Sequence, residues 1–153
     1  MQIAQILTVS RCRAQVDCAS KKRALELAAE IIAGDIPSLR ADDVFRQLLN
    51  RERLGSTGLG QGIAIPHCRV DQCHSAVGCL ITLDNAIDFE SVDNQPVSLL
   101  FTLVVPQEAN DAHVHMLAEL VKVFNNPDSV RQLLSTSDDG ALHQQALTLF
   151  GNL

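Results

Sequence analysis

Two of the five histidines in this 153-residue chain stand where chemistry could be done. His67 lies near the end of LGSTGLGQGIAIPHCRV, residues 54–70, which places four glycines within eight residues ahead of it. Such a loop invites a nucleotide reading. A Walker-type phosphate loop, however, needs a Lys to neutralise phosphate and an adjacent hydroxyl to hold magnesium, and this loop has no Lys. A dinucleotide fingerprint leaves a strand and opens a helix, whereas Gly58-Leu-Gly60-Gln-Gly62 has another spacing, follows a helical pattern and runs into an apolar strand. What remains is a conformationally free loop that ends at His67. Pro66 fixes its own φ and holds Ile65 extended, so the imidazole sits at a strand end, where α/β folds place ligands. A purely structural Pro-His pair is the competing reading.

His113 and His115 are two residues apart, about 200° around a helix axis, so they cannot share one site. His113 falls on the apolar stripe of Met116, Leu117, Leu120, Val121 and Phe124 and points inward; His115 aligns with Glu119 and Lys122 on the wet side. A core histidine bonded to a carbonyl is the alternative for His113. Asp111 as N-cap would put His113 in the first helical turn, where free N–H groups and the helix dipole favour an anion. A loop histidine and a helix-start histidine suit phosphoryl transfer through phosphohistidine, needing no cofactor. His74, in a polar turn, and His143, among glutamines, read as solvated. His67, Cys68, Cys73 and His74 raise the thought of zinc, but their spacing is not a usual one and a metal would disable His67 as nucleophile.

These residues need a frame. Ser20 caps an expected helix over 21–33 with Gly34 as its stop, and a second helix runs over 42–53 with acids at its start and arginines at its end. Strands are expected over 62–65, 76–83 and 97–105, the last so apolar that it is covered on both faces. The polar link 84–96 carries Ile87 and Phe89 as a possible edge strand. Helices over 112–124, 128–135 and 140–150 close the chain. Helices at both ends and strands between them predict an α/β fold: one domain over 1–153, a mixed β-sheet sandwiched between helices.

Composition narrows the class. Apolar residues make up 46% and charged residues 20%, and the net charge is -6. There is no Trp or Tyr and no basic, aromatic face, which argues against nucleic acid as partner. No apolar run is long enough to cross a bilayer and no secretory signal is visible, so the expected location is cytoplasmic, with five free thiols in a reducing compartment. Between Arg69 and Lys122 there are eight acids and no Lys or Arg. These acids are either a solvated surface or an acidic rim that steers a basic partner.

The stretches NRERLGSTGLGQGIAIPH (50–67), DNQPVSLLFTLVVP (93–106) and HVHMLAEL (113–120) resemble the IIA proteins of the phosphoenolpyruvate:sugar phosphotransferase system, mannitol/fructose class, and within it the nitrogen-regulatory subgroup. The resemblance spans most of the chain. It implies that His67 is phosphorylated by an HPr-like carrier, that His113 helps hold the phosphoryl group, and that Arg51 neutralises its charge. Ser56 and Thr57 are second-tier candidates as hydroxyl donors. Arg53 reads as a helix-end cation. Cys68 departs from the glycine usual after the active histidine. The implied chemistry is an in-line, metal-free attack by neutral His67, with Arg51, His113 and helix amides on the equatorial oxygens. The implied output is phosphorylation-dependent regulation of target proteins. The alternatives are a sugar-specific IIA component that passes phosphate to a IIB domain, and a regulatory protein-binding module without transfer.

Overall fold

The computed structural model describes residues 3–108 and 113–151, together with the backbone of residues 111 and 112. The apolar run VSLLFTLVVP forms the central strand of a six-stranded mixed sheet. The strands are β1 (Cys12–Val16), β2 (Gly58–Gly60), β3 (Ile63–Ala64), β4 (His67–Val70), β5 (Val77–Ile87) and β6 (Val97–Pro106). Their order is β1-β5-β6-β3-β2, with β4 also paired to β6. β5 runs antiparallel to β6, while β3 and β4 run parallel to it, one after the other along the same edge.

Alternation along β6 feeds two cores, as a strand covered on both faces must. Leu100 and Val104 pack under α1 (Lys21–Asp35) and α2 (Ala41–Arg53). Leu99, Phe101, Leu103 and Val105 pack under α3 (Asp111–Phe124), α4 (Pro127–Leu134) and α5 (Asp139–Phe150). Phe101, Phe124 and Phe150 meet there at ring centroid distances of 5.8–6.2 Å, within the range of favourable edge and tilted aromatic pairs. The expected helix-covered mixed sheet is thus observed.

Several local expectations change. α1 runs through Gly34 to Asp35, where the Ile36 N–H still donates to Ile32 and the Asp35 carboxylate pairs with buried Arg11. Arg11 also donates to the carbonyls of Gly78 (2.9 Å) and Ile6 (2.8 Å), and so ties the first residues to β5. β1 pairs parallel with β5 across an irregularity between Arg13 and Val16, with Gln15 left-handed at φ 52°. Ile87 ends a long β5, and buried Phe89 belongs to no strand. His143 is not solvated: its Nε2 donates to the Leu7 carbonyl at 3.3 Å.

The glycine loop becomes a hairpin. Gly60, Gln61 and Gly62 have φ of 96°, 58° and 84°, a left-handed turn that glycine enters without steric cost, and the Asp93 carboxylate pins it by accepting from the Gln61 N–H at 2.8 Å. Beyond it, IAIPHCRV lies along β6 as two short strands rather than one. Pro66 has no N–H to give the ladder, although its carbonyl still accepts from Leu103 at 2.9 Å.

Candidate functional site

That interruption shapes the site. The Ile65 N–H donates to the Thr57 carbonyl at 3.0 Å, and the Ile65 carbonyl lies 2.8 Å from His67 Nδ1. A carbonyl can only accept, so Nδ1 carries the proton. In the neutral ring Nε2 is then the nitrogen with a bare lone pair. His67 opens β4, whose Cys68 and Val70 are buried while His67 is half-buried and Arg69 exposed.

His67 lines a cavity of about 490 Å³ at the β4 edge. α2 contributes Gln47, Asn50 and Arg51, and its C-cap Leu54 continues the i, i+3, i+4, i+7 spacing along that face. α3 contributes His113, Val114 and Leu117, and the sheet adds Cys68, Arg69, Leu103 and Val105. Gln107 follows β6 at the rim. The cavity thus holds two arginines and two histidines and, among the described residues, no carboxylate. In a chain of net charge -6 this is a locally cationic, amide-lined pocket suited to an anion.

The structure brings His67, His113 and Arg51 together at this one cavity. His113 is half-buried on the cavity wall, and His115 is exposed. The Asp111 side chain, expected as the helix cap, lies outside the described residues. Arg51 steadies itself by donating from Nη1 to the Gly55 carbonyl at 2.9 Å. Arg53 is an exposed helix-end cation bonded to Asn50.

Ser56 and Thr57, the second-tier candidates, are not among the residues that line the cavity. The Ser56 hydroxyl donates to the Phe89 carbonyl at 2.9 Å and accepts from the Gly58 N–H at 3.1 Å. The Thr57 hydroxyl is spent on the Glu52 carboxylate. Both hold the loop instead. Four of the acids between Arg69 and Lys122 lie away from His67. Asp84, Asp88, Glu90 and Asp93 gather where β6 begins, whereas His67 pairs with Leu103 near its far end, six residues and about 20 Å away.

Cys68 faces the core under α1 and α2, and burial pushes its thiol up to about 12, so it is neither nucleophile nor ready ligand. The Cys73 thiol is turned to the Ser75 carbonyl at 3.0 Å. Among the described residues, no three His, Cys, Asp or Glu side chains converge as a metal site. No helix of the described residues is long and apolar enough to cross a membrane.

The sequence reading missed Gln47, Asn50, Arg69 and Gln107. Gln47, four residues before Arg51, would have followed from helical spacing, and Asn50 from its spacing of three from Gln47. Arg69 follows from strand periodicity once residues 67–70 are read as a strand.

Burial lowers the pKa of His67 below the ordinary 6.5, the Ile65 hydrogen bond opposes this by favouring the charged ring, and Arg51 then lowers it and Glu52 raises it. The ring is therefore neutral further into acid than a free histidine. An NMR titration should place its midpoint below 6.5. The linked stability follows in sign. Below 6.5 the unfolded chain binds the proton more readily at this residue, so His67 contributes a loss of stability as pH falls through that value. A midpoint at or above 6.5 would show that the Ile65 bond outweighs burial.

Comparison with known proteins converges on one family. The chain is 40% identical over 144 residues to a nitrogen regulatory protein of Pseudomonas aeruginosa, covering 94% of each chain. It is also 40% identical over 145 residues to the nitrogen regulatory protein of Escherichia coli K12, covering 94% of this chain and 88% of that one. The crystal structure of nitrogen regulatory protein IIA-Ntr from Neisseria meningitidis superimposes with a TM-score of 0.87 at 36% identity, over 94% of this chain and 97% of that one. The IIA mannitol crystal structure from Escherichia coli, at 20% identity and a TM-score of 0.77 over 94% of this chain and 98% of that one, shares the fold. The family model described as phosphoenolpyruvate-dependent sugar phosphotransferase system, EIIA 2, matches residues 5–147, and the chain belongs to that family.

Proposed function

We propose that the chain is a phosphohistidine carrier that takes a phosphoryl group on Nε2 of His67 from an HPr-like protein, and that its phosphorylation state regulates target proteins in a nitrogen-linked branch of the phosphotransferase system. The observation that carries the reading is the Nδ1 bond to Ile65, which leaves Nε2 as the nucleophile in a pocket with Arg51 and His113 and, among the described residues, no carboxylate.

The chemistry balances without a metal. The N–P bond of the donor's phosphohistidine breaks, its electron pair stays with the donor ring, and the Nε2 lone pair forms the new bond. The His67 ring keeps its Nδ1 proton and becomes cationic, as the donor ring gives up the same charge. The Ile65 carbonyl, already accepting from Nδ1–H, stabilises that cation. In this reading Arg51 and His113, on the walls of the same cavity, bind the equatorial oxygens over which the transition-state charge is spread.

A protein donor suits the rim better than a small molecule does. Leu54 and Val114 line the cavity yet remain 85% and 63% exposed, an apolar collar around a polar centre. Transfer places about two negative charges in a pocket that was cationic, which is enough to change which surface docks there. The relatives' names, nitrogen regulatory protein, favour regulation over onward transfer to a IIB domain as the output.

The test is intact mass after incubation with phosphoenolpyruvate and the first two carriers of such a system. One acid-labile phosphoryl group is expected, with a ³¹P resonance of Nε2-phosphohistidine. No gain with active carriers would leave a regulatory module that does not carry phosphate, and an Nδ1 signature would overturn the role given to Ile65.

A further inference from the structure

We infer that Arg69 is a second cationic ligand of the phosphoryl group on His67, an assignment that rests on the carrier reading above. Strand alternation puts residues 67 and 69 on one face of β4, and their register partners on β6, Leu103 and Val105, lie on that same face and line the same cavity. Successive same-face side chains of a strand stand about 7 Å apart, within reach of an arginine. The guanidinium of Arg69 is lightly committed. Its Nη1 donates to the Gln107 carbonyl at a long 3.3 Å, and among the described residues it joins no ion pair. Arg46, by contrast, is held by Asp43 at 2.8 Å.

Arg51 enters the cavity from α2 and Arg69 from the sheet edge, so the two guanidinium groups close on an anion from different walls. A phosphoryl group carries close to two negative charges, more than one guanidinium neutralises. A planar guanidinium also offers the paired donors that phosphate oxygens accept. Arg69 takes no part in proton movement. It binds the equatorial oxygens, over which the charge of the loose transition state is spread while the donor's N–P bond breaks and the His67 N–P bond forms.

The experiment compares wild type, Arg69→Gln and Arg69→Lys, full chain, phosphorylated by phosphoenolpyruvate and the two carriers. Exposure makes Arg69 safe to replace, and an unchanged Tm verifies it. In Arg69→Gln the transfer rate at saturating donor should fall on the order of tenfold, less than for an enclosed oxyanion donor because solvent screens the exposed charge. The half-saturating donor concentration should move less than about threefold if the loss is in the transition state rather than in docking. The ³¹P resonance should shift, and Arg69→Lys should recover part of the rate. A rise in half-saturation alone, with rate and resonance as in wild type, overturns the assignment and makes Arg69 a docking residue. No change in any readout overturns it as well. Failure of wild type to take phosphate would instead bring down the carrier reading, and this assignment with it.

Discussion

His67→Ala is expected to lose phosphoryl acceptance by at least about 1000-fold, because it removes the nucleophile. The Cys68 sulfur is held as a thiol by burial and packs in the core under α1 and α2. The substitution should leave the fold intact. His67 is half-buried at the wall of an open cavity, so truncating it leaves no enclosed void. Loss of activity with unchanged circular dichroism and Tm is therefore the expected pair of results. A His67→Ala protein that still gains an acid-labile phosphoryl group would move the acceptor elsewhere, with His113 the first residue to test by peptide mapping. His67→Gln is a useful companion. It fills the space without a nucleophilic nitrogen, so its loss should match that of alanine if chemistry rather than packing is at stake.

Much of this arrangement was legible in the residues, because the site elements have strong local signatures. The Ser20 cap, the charged ends of α2 and the stripe of Met116, Leu117 and Leu120 fix helices by spacing alone, and each lies within two residues of its expected bounds. β6 announced itself as a central strand by an apolar run that only double-sided burial accommodates. Elements whose pattern depends on distant partners were hidden. β4 looked like loop because Pro66 breaks the ladder, and β1 is five mixed residues that become a strand only beside β5. Glu52 is the sharpest case. Its environment is made by Lys21 and Thr57, which no local window connects. The division of the acids between the two ends of β6 was hidden for the same reason, since only topology says where a loop returns.

Glu52 also carries the largest expected stability effect. Its side chain is only 3% exposed. It accepts from the Thr57 N–H at 3.1 and 3.2 Å, from the Thr57 hydroxyl, and from Lys21 Nζ at 2.8 Å. Lys21 in turn lies 4.9 Å from the centre of the Phe89 ring. One carboxylate thus joins the start of α1, the end of α2, the glycine loop and the link that holds Phe89. Removing one partner of a buried ion pair leaves the other desolvated and unpaired, which costs roughly 3–5 kcal/mol, and on a chain of this size lowers Tm by on the order of 10 °C. Glu52→Ala should show that loss in urea unfolding. Glu52→Gln, which keeps an acceptor for Thr57 but no charge for Lys21, should fall between it and wild type. Glu26→Ala is the control, because its pair with Arg23 is exposed on α1 and water replaces it, so the midpoint should not move measurably. The consequence reaches the site through the backbone. The Thr57 carbonyl accepts from Ile65, and the Ile65 carbonyl fixes the His67 ring, so a loop released at Glu52 also releases the nitrogen that must face the donor. Glu52→Ala assayed well below its Tm should accept phosphate more slowly than Glu52→Gln, and equal rates with equal midpoints would show that the carboxylate neither stabilises the loop nor orients His67.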